Sequence, residues 1–551
     1  MDRFWLSSYQ EGVPHDIDST AYDSIVGILD DVNHRFSEKI AFSNFGTKIT
    51  FQQFDQLSKQ FAAYLQSLPD LEKGDRVAIM LPNILQYPIA LFGALRGGYT
   101  IVNVDPMYKP RELIHQLNDS NAKVLLFLEN FADVVEKSLP DMNVKHLIST
   151  QVGDQLNFPK SLLINTVLKY VKKMVPKHGL TSVISFNQVI KAGERLSFSD
   201  VTLNHDDVAF LQYTGGTTGV SKGAILTHGN IVANVMQVRS WAAKLLLEGQ
   251  EKIITALPLY HIFSLTANCL YIMSIGGENV LITNPRDFKG FIKLIAKEKF
   301  TVITGVNTLF RKMLDTDGFD QVDFSAVKIT FGGGMAITQD VAVEWKQRTG
   351  KHITEAYGLT ETSPAACINP FHLHEYNSFI GLPIPSTFVQ IKDDEGHDLG
   401  VNQTGELCIK GPQVTQGYWN LPELNDTAFT ADGYFRTGDI AQINDEGFVK
   451  ILDRKKDMIL VSGFNVYANE VDNVISSHSG VVEAASIGIP DDTTGEAIKS
   501  FVVKADKDLS KETLLDYCKE NLTGYKRPKF IEFVDELPKS NVGKILRKNL
   551  R

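Results

Sequence analysis

The chain has 551 residues, 43% apolar and 22% charged, the balance of a globular protein long enough for more than one domain. Its formal net charge of −10 excludes a general nucleic-acid binder, so any anionic ligand must meet a local basic patch. Cys269, Cys367, Cys408 and Cys518 form no C-x-x-C pair, which argues against a zinc site or a disulfide framework.

The N-terminus lacks an apolar stretch followed by a cleavage site, so a reducing cytoplasm is expected. Residues 50 to 150 alternate two periods. Phe54, Leu57, Phe61 and Leu65 recur at helical spacing, and 76–80 reads as a buried strand. Strand-like 101–104 and 124–127 follow, each after a helical stretch. This βα alternation predicts a mainly parallel sheet covered by helices.

Between 160 and 177, Leu163, Val167, Tyr170, Val171 and Met174 share one helical face, and Lys169, Lys172 and Lys173 fall on the other. A basic amphipathic helix can lie on an anionic lipid surface, and it can equally be a solvated surface helix.

The stretch Tyr213–Gly223 packs Thr214, Gly215, Gly216, Thr217, Thr218, Gly219, Ser221 and Lys222 behind the apolar run 208–211. Free N–H groups in such a turn form an anion-binding hollow, hydroxyls add donors, and a lysine adds a point charge. The reading is a loop that wraps a polyphosphate. It is not a Walker A loop, because Ser221 stands where glycine must precede the lysine. Gly219–Gly223 does match the G-x-S-x-G elbow, so a serine hydrolase or thioesterase with Ser221 as nucleophile is the alternative. A non-catalytic acyl-binding protein is a third reading.

From Ile253 to Gly277 no Asp, Glu, Lys or Arg occurs, but Pro258, His261 and Asn268 favour a buried strand-turn-helix over a membrane span. His261 and its aromatic neighbours could line an acyl-sized cavity, or His261 could be a core histidine. Strand-like 327–331 runs into Gly332, Gly333 and Gly334, a ligand-approach position in an open α/β sheet. In Tyr357–Thr362 an aromatic, a hydroxyl and a carboxylate stand close enough to stack a base, hold a phosphate and hold Mg²⁺.

Residues 378 to about 452 lose the βα rhythm and read as a β-rich subdomain. Asp439, after Thr437 and Gly438, can accept from a ribose diol or cap a turn. Asp453–Asp457 is five charges in a row and reads as an exposed linker. A unit of about 95 residues follows it. There Leu514, Cys518 and Leu522 form a helical stripe behind Ser510, the expected N-cap. Lys544 sits after Gly543 and before an apolar pair, which suits a presented lysine.

Together these segments resemble the adenylate-forming enzymes: acyl-CoA synthetases, luciferases and peptide-synthetase adenylation domains. Tyr213–Gly223, Pro258–Phe263, Gly332–Gly334, Tyr357–Glu361, Phe435–Asp439, Asp453–Asp457 and Pro538–Lys544 carry the resemblance over nearly the whole chain. The wording YTGGTTGVSKGAILTH and DRKKDMILVSGFNVY is most similar to bacterial long-chain fatty-acid–CoA ligases.

The resemblance implies an α/β fold with a large N-terminal adenylation domain (1–452, including the β-rich part), a hinge (453–457) and a small mobile α+β lid (458–551). It implies MgATP-dependent conversion of a medium-to-long-chain fatty acid to an acyl-adenylate and then, with coenzyme A, to acyl-CoA. Thr214, Thr217, Thr218 and Lys222, with Gly215, Gly216 and Gly219, would surround the phosphates. Gly333, Gly334, Tyr357 and Gly358 would frame adenine, and Thr360 would touch the α-phosphate. Glu361, with Thr217, would bind Mg²⁺, and Asp439 and Arg454 would hold the ribose. Lys544 would bridge phosphate and carboxylate, His261 would lie near the acyl carboxyl end, and Lys456 would be the pivot. Lys526, Arg527 and Lys529 could supply a positive field for coenzyme A. The expected setting is cytoplasmic, with contact through 161–175 to the inner face of the membrane as an option. A homodimer is left open beside a monomer.

Overall fold

The computed structural model describes residues 3–214, 221–540 and 543–551. Two parallel α/β sheets make up most of it. The first has seven strands, in the order Val183–Ser185, His146–Thr150, Ala122–Leu128, Arg76–Met80, Thr100–Asn103, Val208–Thr214 and Lys222–Thr227. Every neighbouring pair is parallel except the last. The second has nine strands. Ile40–Asn44, Glu278–Leu281, Lys252–Thr255, Val302–Gly305, Ile329–Gly333 and Thr354–Gly358 form its parallel centre, and antiparallel strands close both edges.

The apolar faces of two helices join these sheets. Helix Phe51–Gln66 starts in a capping box, where Thr50 accepts from Gln53 N and the Gln53 side chain returns to Thr50 N. Helix Gln86–Arg96 is apolar on nearly all sides, and every residue in it is buried. Phe54 meets Phe42 and Phe92 edge-on, with ring centroids 4.9 and 5.4 Å apart. One apolar cluster therefore runs from Phe42 in the nine-stranded sheet to Val77 and Ile79 in the seven-stranded one.

An antiparallel sheet of Phe388–Lys392, Gly405–Lys410, Phe435–Ile443 and Val449–Arg454 follows. Beyond it lies a five-stranded α+β unit, centred on the paired strands Val481–Asp491 and Gly495–Lys504. Its helix Lys511–Asn521 is capped by Ser510, whose hydroxyl accepts from Thr513 N. Its buried face carries Leu514 and Cys518.

Two local expectations need correction. The run Asp453–Asp457 is exposed only in part: Lys455 and Lys456 face solvent, but Asp453 is fully buried and Asp457 nearly so. Backbone N–H groups of Arg454 and Asn469 donate to the Asp453 carboxylate and replace its water. The amphipathic helix ends early: Lys160–Thr166 is α-helical, Val167–Val171 is one π turn, and helix stops at Lys172. Lys169 is drawn back to Glu129 at 2.8 Å. Stretch 253–277 is the expected buried strand-turn-helix, and among the described residues no helix is long and apolar enough to cross a membrane.

Candidate active site

The site forms at the carboxyl ends of Ile329–Gly333 and Thr354–Gly358, where open parallel sheets present ligands. Gly334 has φ +76°, a conformation that favours glycine. A Cβ on Gly358 would lie 1.7 Å from Pro364 O, so only glycine lets these two backbones pass.

Asp439 arrives from the antiparallel sheet, directly opposite Arg454 in register. Its two oxygens are both engaged. The Tyr357 hydroxyl donates to one at 2.5 Å, and Arg454 Nε meets the other at 2.6 Å. Burial pushes the Asp439 carboxyl up, and Arg454 and Tyr357 pull it back.

Glu361 lies in the short turn after Gly358. Its Oε1 accepts from the Tyr418 hydroxyl at 2.7 Å, and its carbonyl accepts from Thr415 N at 2.7 Å. The Tyr418 ring also faces Lys222, with Nζ 5.6 Å from the ring centroid. Tyr418 thus links the predicted magnesium ligand to the predicted phosphate lysine. No sequence signal marked it, because 57 residues separate it from Glu361.

Thr214 and Lys222 are cross-strand partners at the loop end of an antiparallel hairpin. The residues between them named for phosphate and metal (Gly215, Gly216, Thr217, Thr218 and Gly219) lie outside the described residues. Ser221 leads into a strand, and its carbonyl meets His115 Nε2 at 3.0 Å. A nucleophile elbow turns from strand into helix, so this geometry argues against the hydrolase reading.

His261 caps the short helix Ile262–Ser264, with Nδ1 accepting from Phe263 N at 3.3 Å. Burial lowers its pKa to about 3, and the Lys544 charge adds to that shift. It is therefore a neutral imidazole. Lys544, from the far end of the chain, lies within electrostatic reach of Arg454, Asp439 and Glu361. Burial lowers its pKa, Arg454 adds to the shift, and the two carboxylates oppose it.

The groups considered for coenzyme A are engaged locally. Lys526 bonds both Glu470 oxygens, Lys529 meets Asp491 at 2.5 Å, and Arg527 Nε donates to Leu522 O. A sequence stretch can place three cations together, but not the acids that fold against them.

The sequence profile described as AMP-binding enzyme matches residues 29–419, and that of the AMP-binding enzyme C-terminal domain matches 470–544. The chain belongs to the AMP-binding enzyme family. A protein of Yersinia pestis named long-chain-fatty-acid–CoA ligase is 50% identical over 551 residues, spanning 100% of this chain and 98% of its own. One of the same name from Escherichia coli O157:H7 is also 50% identical over 551 residues, with the same shares covered. Among solved structures, an anthranilate CoA ligase in complex with anthranoyl-AMP superposes with TM-score 0.84 at 24% identity, over 96% of each chain, which speaks to fold. Within this family fold, Asp439, Arg454, Tyr357, Glu361 and Lys544 come from two sheets, a short turn and the C-terminal tail into one place.

Proposed function

We propose that this chain is an ATP-dependent long-chain fatty-acid–CoA ligase, the activity named for its 50%-identical relatives. A fatty-acid carboxylate oxygen attacks the α-phosphorus of ATP, the bond to pyrophosphate breaks, and pyrophosphate leaves. The coenzyme A sulfur then attacks the acyl carbonyl, its proton is lost, and AMP departs. A carboxylate is a poor electrophile, and adenylation supplies its leaving group. No side-chain nucleophile is needed, so the protein contributes position and charge.

The observation that carries this reading is the whole-chain identity to those ligases, and with it the Tyr357–Asp439–Arg454 cluster, whose charges Lys544 feels. In the first step its ammonium would bridge the α-phosphate and the attacking carboxylate. Thr214, Thr217, Thr218 and Lys222 would hold the outer phosphates. Gly333, Gly334 and Tyr357 would frame adenine, Asp439 and Arg454 would take the ribose hydroxyls, and Thr360 would meet the α-phosphate. Neutral His261 would stand by the acyl carboxyl end without repelling a cation. Glu361 is a single hard oxygen ligand, which fits Mg²⁺ taking its other ligands from Thr217, phosphates and water. Bound there, Mg²⁺ would neutralise charge on the leaving pyrophosphate.

In the same reading 1–452 is the adenylation domain and 458–551 a lid turning about Lys456, which lets two half-reactions use one adenylate. ATP–pyrophosphate exchange by the purified protein should require a fatty acid, and added coenzyme A should release AMP. Exchange that ignores the acid would remove the proposal.

A second reading concerns location. Phe158, Leu162, Leu163, Tyr170, Val171 and Met174 are exposed together, Phe158 by 81%, beside Lys172 and Lys173. A contiguous apolar patch with flanking cations suits peripheral contact with an anionic bilayer.

A further inference from the structure

The C-terminal tail is tied to the turn 454–457 by two arginines. Beyond strand Phe530–Val534 the chain doubles back. Ser540 N donates to Lys544 O at 2.8 Å, Lys544 N donates to Ser540 Oγ at 3.1 Å, and Leu546 N donates to Pro538 O at 2.8 Å. This segment carries Lys544, and Arg547 stands three residues on. Arg547 Nε donates to Ser486 O at 3.2 Å. One terminal nitrogen donates to Asn469 Oδ1 at 2.7 Å and Asp472 Oδ2 at 2.5 Å, and the other lies 3.9 Å from Asp457 Oδ2. Arg551 closes on the same place, donating to Asp457 Oδ1 at 3.0 Å and to Lys456 O at 3.2 Å.

Three buried carboxylates, Asp453, Asp457 and Asp472, therefore surround the guanidinium of Arg547. Burial raises the Asp472 carboxyl, and the Arg547 charge pulls it back most, ahead of the Ser486 hydroxyl, so Arg547 is the cation that compensates that carboxylate. A buried charge left without its partner is strongly destabilising. The guanidinium is planar, and its three contacts fix direction as well as distance. The lysine ahead of it is a point charge on a four-carbon stem, which sets no direction by itself.

We propose that Arg547 is a positioning residue for Lys544. It locks the lysine segment against helix Ala468–Ser476 and the turn that holds Lys456, and so aims the ammonium at Asp439, Arg454 and Glu361. Arg551 is a second tie to the same turn. The inference rests on the reading that Lys544 serves adenylation.

The test uses the full chain and measures the two half-reactions separately: fatty-acid-dependent ATP–pyrophosphate exchange, and thioester formation from supplied acyl-adenylate and coenzyme A. Arg547→Met should lower the kcat of exchange by about a hundredfold, the scale of a 1 Å misplacement, with the KM for ATP little changed. Thioester formation should persist. Arg547→Lys, which returns the charge without the planar fork, should recover part of the loss. Asp472→Asn keeps the shape of the site, and should move exchange in the same direction by less. Unchanged exchange in Arg547→Met overturns the proposal. So does a parallel fall of both half-reactions with thermal stability, which marks a merely structural arginine. Lys544→Ala is the control: if it keeps exchange, the reading of Lys544 itself fails. If it loses exchange while Arg547→Met does not, only the positioning role falls.

Discussion

Tyr357 and Asp439 share one short hydrogen bond, 2.5 Å from hydroxyl to carboxylate, across the seam between the nine-stranded sheet and the antiparallel sheet. With Arg454 on the other oxygen, Asp439 is a buried anion held by two donors and aimed at one place. A ribose diol offers two O–H donors, which an ionised carboxylate can accept. Hydrogen bonds to charged groups contribute about 1.5–3 kcal/mol. Asp439→Asn should therefore raise the KM for ATP in the exchange assay by about 10- to 100-fold. The loss should not add to that caused by 2′-deoxy-ATP, because both remove the same contact. Fully additive losses would place the ribose elsewhere.

Lys544 must be cationic to bridge two anions, and its pKa is lowered, first by burial and then by Arg454. The charged fraction is complete at low pH and disappears as pH rises through the lowered value. The kcat/KM of exchange should thus fall on an alkaline limb below the ordinary lysine value of about 10.4. Lys544→Arg should remove that limb along with most of the rate. A limb that survives in Lys544→Arg assigns it to another group.

Lys456 sits in a turn closed by Asp457 and Met458 N–H groups donating to Arg454 O, bonds that do not involve its own N–H. Proline there locks φ near −65°. Lys456→Pro should spare exchange and slow thioester formation from acyl-adenylate. Equal loss in both half-reactions contradicts a pivot at this residue.

Arg96 is buried in the helix layer between the sheets, with Asp30 at 2.9 Å, Asp55 as its second carboxylate and the Ser58 hydroxyl at 3.1 Å. Arg96→Ala leaves the buried Asp55 to Lys59 alone, which holds its other oxygen at 2.8 Å from a side chain that reaches solvent. Urea unfolding should show a loss of about 1–3 kcal/mol for the transition of the N-terminal part, the cost of the one Asp55 oxygen left unpaired. A change under ~1 kcal/mol would mean that Lys59 by itself compensates Asp55.

The exposed patch gives a measurable contrast. Vesicles rich in anionic lipid should float the protein, more weakly as salt rises, and neutral vesicles should not. Replacing Leu162, Leu163, Tyr170 and Val171 by serine should abolish flotation while leaving exchange in solution intact. Flotation that persists places the contact on another face.

Much of this protein is written in local order. The 3.6 period of Phe54, Leu57, Phe61 and Leu65 and the apolar runs at 76–80 and 124–127 dictate covered parallel strands, since no other arrangement buries those faces. The Ser510 cap was legible for the same reason: donor and acceptor lie three residues apart. What the chain order could not decide is which distant groups meet. Tyr418 joins Glu361 across 57 residues, Arg547 joins Asp472 across 75, and the two aspartates of the charged run 453–457 are buried because backbone donors and the tail arginines close over them. Periodicity reports how each segment faces a core. Charge pairing depends on which segments the finished core brings side by side, and only the tertiary structure settles that.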